Sequence, residues 1–244
     1  MQNHNVIFQD LGLIDFKEAW EMQQKLFQTI LGVKERRLHQ GHSFHEMTPS
    51  YLLFCEHPHV FTVGRNGSES NLLVGRPFLE KIQAAFYRID RGGDITYHGP
   101  GQLVGYPIVD LENMGLSVKK YIHLLEESVI MTLKAYGVSA GRLAGATGVW
   151  LDPADRKAAR KICAIGVRVS RGVTMHGFAF NILTDLHYYN YINPCGFTDK
   201  AVTSLEKEMG VSPDVEKVKA TLLDNILSLF NIRIVGEAVN THQP

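Results

Sequence analysis

The chain has 244 residues, 45% hydrophobic and 20% charged, an ordinary globular composition with enough length to bury a core without covalent staples. Lys plus Arg and Asp plus Glu balance at 25 each, so no overall field draws it toward nucleic acid or a membrane surface. Three cysteines without a C-x-x-C pair argue against a disulfide framework or metal knuckle. Met1 to Asp10 lacks a signal-peptide pattern and no apolar run is long enough for a bilayer span, so the expectation is a cytoplasmic protein with reduced thiols.

From the N-terminus, Asn5 to Gln9 reads as a short strand. Asp15 to Arg37 reads as a helix, because Phe16, Ala19, Met22, Leu26, Ile30 and Val33 recur at three- or four-residue steps. His39 to Thr48 is a polar loop. Tyr51 to Cys55 and Val60 to Val63 read as strands broken by His57-Pro58, and Asn66 to Asn71 as a polar loop. Ala84 to Asp90, Asp94 to Tyr97 and Gln102 to Val109 are short apolar runs punctuated by glycine and proline. Ser117 to Tyr136 has the pattern of a long amphipathic helix, with Ser117 as its N-cap and Gly137 as its stop. Strands are expected at Val138 to Arg142, Thr147 to Leu151, Lys161 to Val169 and Val173 to Ile182, with Asp152 to Arg160 a charged connection. Ser212-Pro213 opens a final helix reaching about Phe230. This order predicts an α+β protein with mixed, largely antiparallel sheets flanked by helices. With no repeat and no clear linker, 1–244 reads as one domain with a helical C-terminal segment from about 213.

Four segments concentrate the chemistry. Arg91 to Gln102 holds four glycines, an arginine and a histidine in twelve residues. Glycines alone would mean tight turns; interleaved with polar and aromatic groups they also suit a backbone that approaches a ligand closely. The segment is neither a P-loop nor G-x-G-x-x-G. Lys161 to Gly166 is a strand that opens on a lysine. At a solvent-facing edge this means nothing; at the edge of an apolar pocket, desolvation would fit the amine for proton transfer. Alternation places Cys163 on the same strand face as Lys161, either near that pocket or as a small buried filler. Cys195 stands between Pro194 and Gly196, on a turn that suits either an accessible nucleophile or an inert capped loop. Met175 to Asn181 reads as a strand with His176 and Gly177 at its entry, where a lone histidine is ordinarily structural. The histidines show no zinc spacing, so no metal is assigned.

Together the segments resemble the lipoyl(octanoyl) transferases. Arg91 to Gln102 follows that family's R-G-G-x-x-T-Y-H-G-P-G-Q signature, Lys161 to Gly166 its K-I-x-x-I-G, and Pro194-Cys195-Gly196 its P-C-G, in the same order. Cys163 departs from the small residue the family usually carries there. The resemblance runs from about Val6 to Glu208. It implies a fold shared with biotin and lipoate ligase catalytic domains. It also implies transfer of an octanoyl group from octanoyl-acyl carrier protein to a lysine of lipoyl domains, in 2-oxoacid dehydrogenases or the glycine-cleavage carrier protein. By motif position it makes Cys195 the acyl-carrying nucleophile and Lys161 its acid/base partner. Arg91, Gly92, Gly93, Asp94, Ile95, Thr96, Tyr97, His98, Ala164, Ile165, Gly166, Gly177, Phe178 and Ala179 would be the acyl-binding walls. No cofactor is implied, because a thioester donor needs no activation by ATP. The alternative is an ATP-dependent lipoate-protein ligase on the same fold, which would have no use for Cys195.

Overall fold

The computed structural model describes residues 4–40, 46–155, 157–193 and 201–237. In chain order the elements are β1 (Asn5–Leu13), α1 (Phe16–Gln40), β2 (Tyr51–Glu56), β3 (Val60–Val63), α2 (Arg76–Lys81), β4 (Ala85–Arg88), β5 (Ile95–His98) and β6 (Gln102–Ile108). There follow α3 (Val118–Ala135), β7 (Gly141–Leu143), β8 (Ala146–Leu151), β9 (Arg160–Ser170), β10 (Val173–Asn181), β11 (Ala201–Val202), α4 (Leu205–Met209), α5 (Val215–Phe230) and β12 (Arg233–Glu237). Short 3-10 turns lie at Glu69–Asn71 and Leu186–Tyr191.

Among the described residues, nine strands make one large sheet in the order β12-β1-β2-β6-β10-β9-β8-β7, with β11 beside β9, and β4-β3-β5 make a small second sheet. The β2–β6–β10–β9–β8–β7 run is antiparallel, whereas β1 is parallel to both its neighbours, so the expected mixed, largely antiparallel α+β architecture is present. Both faces of the large sheet are covered, which is why β2 is a continuous apolar run. Leu52 and Phe54 point into a core shared with α3 and α5, while Leu53 and Cys55 point into one shared with α1. From α1, Ala19, Phe27 and Ile30 are fully buried on that second core, each larger side chain contributing about 1.5–3 kcal/mol. The small sheet has its own core, built on Phe61, Val63, Ile95 and Tyr97 with Leu79 of α2.

Several elements differ from the sequence expectation for local reasons. Helix α1 runs on to Gln40. Elements α2, α4 and β11 are too short to show a period. The last helix begins at Val215, not Ser212: the Asp214 side chain accepts from the Lys217 N–H at 3.2 Å as its cap, while the Ser212 hydroxyl donates to Glu206. Ser117 does cap α3, accepting from Lys120 N–H at 3.2 Å, and Gly137 follows with φ +74°. Strand β7 lies at Gly141–Leu143, later than Val138 to Arg142 suggested. No helix among the described residues is long and apolar enough to cross a membrane.

Candidate active site

A cavity of about 410 Å³ opens where the small sheet meets β6, β10 and β9 of the large one. A break in strand pairing creates the space. Strands β8 and β9 pair at Leu151↔Arg160, Trp150↔Lys161 and Val149↔Cys163, so Ile162 is an extra residue, a β-bulge. Beyond it the two strands separate. Gly145, Ala146 and Thr147 line one side of the gap, Ala164 to Val167 the other. The glycine loop takes over as the neighbour of β9: Gly92 N–H donates to Val167 O at 2.9 Å. This approach requires Gly166, where a Cβ would come within 2.9 Å of Gly92 O.

Arg91 braces its own loop. It is 8% exposed; Nη2 donates to Thr62 O at 2.7 Å and Thr62 Oγ1 at 3.0 Å, and Nη1 donates to Gly92 O at 3.0 Å. Asp94 is also tied to protein, accepting from Asn71 Nδ2 at 2.6 Å and from Ile95 N–H at 2.7 Å. Along β5, Thr96 and His98 face the cavity and Tyr97 does not: it is fully buried in the small-sheet core, stacks on Tyr188 and shares a hydrogen bond with His59 Nδ1 at 2.7 Å. Of the residues the resemblance assigns to the walls, Arg91, Gly92, Gly93, Asp94, Ile95, Thr96, His98, Ala164, Ile165, Gly166, Gly177, Phe178 and Ala179 line this cavity, and so does Lys161.

Lys161 Nζ sits 4.7 Å from the centroid of the Trp150 ring. The bulge overturns the expectation that Cys163 shares its face. Ile162 and Cys163 both pack, fully buried, into the α3 core, and burial pushes the Cys163 thiol well up despite the lysine charge nearby. Cys163 is a core filler, away from the cavity wall.

Three buried histidines stand around the site. His57 Nδ1–H donates to Ile14 O at 2.8 Å, which leaves Nε2 to accept the Tyr106 hydroxyl at 2.7 Å. Burial lowers His57 to about 4, opposed by the bond to Ile14 and by Asp15. His98 lies 2.8 Å from Gln102 Oε1 through Nδ1, and burial together with His57 lowers it to about 3. Gln102 Nε2 is already donating to Asn181 and the Tyr97 carbonyl, so its oxygen faces His98, Nδ1 carries the proton and Nε2 is left as a lone pair. His176 adopts φ +62°, in the left-handed region uncommon for a residue other than glycine, and contacts Asp90 Oδ1 at 3.0 Å through Nε2; burial lowers its pKa against that carboxylate. All three are neutral and embedded. Among the described residues no group of three or more His, Cys, Asp or Glu side chains is disposed to hold a metal ion.

Sequence reading passed over Asn181, Tyr106, Trp150 and Tyr189, which also line the cavity. Asn181 is bonded on both sides of its amide: Oδ1 accepts from Gln102 Nε2 at 2.9 Å and the Tyr189 hydroxyl at 3.3 Å, and Nδ2 donates to Thr203 O at 3.0 Å. Thr203 N–H in turn donates to Lys161 O at 2.9 Å, and β11 pairs Ala201 with Arg160 and Val202 with Lys161. Cys195 lies in 194–200, outside the described residues. The described residues on either side are both anchored, Asn193 N–H donating to Asn71 O at 2.8 Å and Ala201 entering the sheet beside the lysine strand.

The sequence matches the family model for the lipoyl protein ligase A/B catalytic domain over residues 15–227. It is 54% identical over 219 residues to an octanoyltransferase of Bacteroides fragilis, covering 90% of this chain and 95% of that one. It is 48% identical over 233 residues to an octanoyltransferase of Cytophaga hutchinsonii, covering 95% of each. Among solved structures, the bipartite lipoate protein ligase of Thermoplasma acidophilum, studied with its E2 lipoyl domain, aligns with a TM-score of 0.66 at 15% identity over 99% of this chain and 88% of that one, a likeness of fold.

Proposed function

The chain belongs to the lipoyl protein ligase A/B catalytic domain family and is an acyltransferase, and from that premise we propose that it moves an octanoyl group from acyl carrier protein to a lysine of a lipoyl domain through a thioester on Cys195. Lys161 is the acid/base partner in this reading. The observation that carries it is the placement of the Lys161 amine on the wall of a largely apolar cavity, beside the strand by which the chain re-enters the sheet 201 − 195 = 6 residues after the cysteine.

The chemistry follows from the groups. A free cysteine has a pKa of about 8.5 and is mostly protonated at neutral pH. An adjacent ammonium favours the thiolate, which attacks the donor thioester carbonyl. The tetrahedral intermediate collapses by breaking the bond to the pantetheine sulfur, and that sulfur takes a proton from Lys161. The acyl group now rides on Cys195. The acceptor lysine, neutral when it attacks, gives its proton to Lys161 as the amide forms and the cysteine leaves as thiolate. One thioester is exchanged for another and then for an amide, so no phosphoanhydride is consumed. The apolar wall of Ile165, Val167, Phe178 and Ala179 suits a hydrocarbon chain, at about 0.8 kcal/mol for each methylene buried.

Incubation with octanoyl-acyl carrier protein and intact-mass measurement tests the scheme. A single octanoyl adduct is expected on the wild type, none on Cys195→Ala, and a rate lowered by roughly 10²–10⁴ in Lys161→Ala. An adduct that persists in Cys195→Ala, or that maps to Cys163, would falsify it. Transfer that proceeds only with ATP would replace it with the ligase reading.

A further inference from the structure

We propose that Trp150 is a positioning residue for the reaction, holding the Lys161 ammonium over its indole face and sustaining its positive charge at the cavity wall. The inference rests on the role proposed above for Lys161. Trp150 and Lys161 are cross-strand partners, and Lys161 Nζ lies 4.7 Å from the ring centroid, inside the range at which an ammonium is held by an aromatic quadrupole. The ring is not free to turn: it is 2% exposed, and its Nε1–H donates to Ala146 O at 2.9 Å. Gly148 lets β8 lie this close to the lysine strand, since a Cβ there would come within 2.5 Å of Cys163 O. The bulge at Ile162 sends Cys163 to the core and leaves the lysine on the indole.

The choice of neighbour matters to the chemistry. A cavity wall of low polarity disfavours an ammonium. A carboxylate in the position of the ring would restore the charge but cancel its field, leaving nothing to draw a thiolate. An indole face stabilises the cation and carries no net charge of its own. The indole thus holds the ammonium at the cavity wall without adding a charge that would oppose its field.

The test replaces Trp150 in the full chain, site-specifically, with mono-, di- and tetrafluorotryptophan, which keep shape while progressively weakening the quadrupole. Trp150→Phe provides a genetically encoded comparison. Acetylation of Lys161 by acetic anhydride at pH 7, followed by peptide mass spectrometry, reports the neutral amine without requiring activity. Acetylation should rise stepwise, by roughly three- to tenfold at the end of the series, with the pH profile of octanoyl transfer displaced toward lower pH in the same order. A rate of acetylation that stays flat or falls along the series overturns the proposal. If acetylation rises as expected but Lys161→Ala transfers octanoate undiminished, the ring and ammonium remain a pair and it is the catalytic role of the lysine that fails.

Discussion

Asn181 is 3% exposed, and both its carbonyl and its amide are engaged by protein. Through it, Gln102 on β6 and Tyr189 in the 3-10 turn are fastened to Thr203, the residue that follows β11. An apolar replacement leaves the Thr203 carbonyl and the Tyr189 hydroxyl without this partner, and buried groups so deprived cost about 1–3 kcal/mol. Asn181→Ala should therefore lower the free energy of urea unfolding by about that amount, and a change under ~0.5 kcal/mol would show that the clasp carries no weight. Nothing in Met175 to Asn181 marks this asparagine as special, because its partners are 79, 8 and 22 residues distant in sequence. Lys161 and the glycine loop line one cavity, but it is the resemblance of their motifs that singles them out, since a lysine opening an apolar strand reads by itself as an edge lysine and glycines alone as tight turns. For Cys163 the buried-filler reading holds and the face shared with Lys161 does not, because strand alternation assumes a regular register and a single inserted residue reverses it. Tyr97 sits inside the signature yet faces away, since in an extended run every second side chain belongs to the other face.

At the scale of elements, the long helices and most strands were legible because their apolar periods are intact over whole turns or pleats. The short elements were not, and neither was β12: it is exposed at Ile234 and Val235 and owes its place to parallel pairing with β1 from the other end of the chain. That pairing joins β12 to the large sheet, and Val218, Leu222 and Ile226 of α5 are buried in the core it shares with α3. Removing the cap in Asp214→Ala should cost about 0.5–2 kcal/mol, registered as a shift of one cooperative urea transition detected by both tryptophan fluorescence and far-UV dichroism. Were α5 an appendage, the variant would instead show an early dichroism transition, with fluorescence unaffected until the main one.

Across the whole molecule, the buried histidines couple folding to pH. His57 links the entry of α1, through Ile14 O, to Tyr106 on β6, and His98 links β5 to Gln102. These are bonds of neutral rings, and burial holds His57 near 4 and His98 near 3, below the 6.5 of a free side chain. Between those values and 6.5 the unfolded chain binds protons that the native chain refuses. Unfolding then takes up protons, so the contribution is fully present above pH 6.5 and is lost as pH falls toward the folded values. Each histidine removes about 1.4 kcal/mol per pH unit in that window. At pH 5.5 the pair should cost about 3 kcal/mol relative to pH 7.5, and for a chain of this length Tm should fall by roughly 6–12 °C. The carboxylates Asp90 and Glu208, held below their ordinary range by hydrogen bonds from His176 and Arg160 respectively, act in the same direction but at lower pH. Scanning calorimetry in buffers of different ionisation enthalpy would count the protons taken up. A Tm that is level between pH 7.5 and 5.5, with no proton uptake, would mean that these rings titrate as they do in water and that the polar frame beneath the cavity is open to solvent.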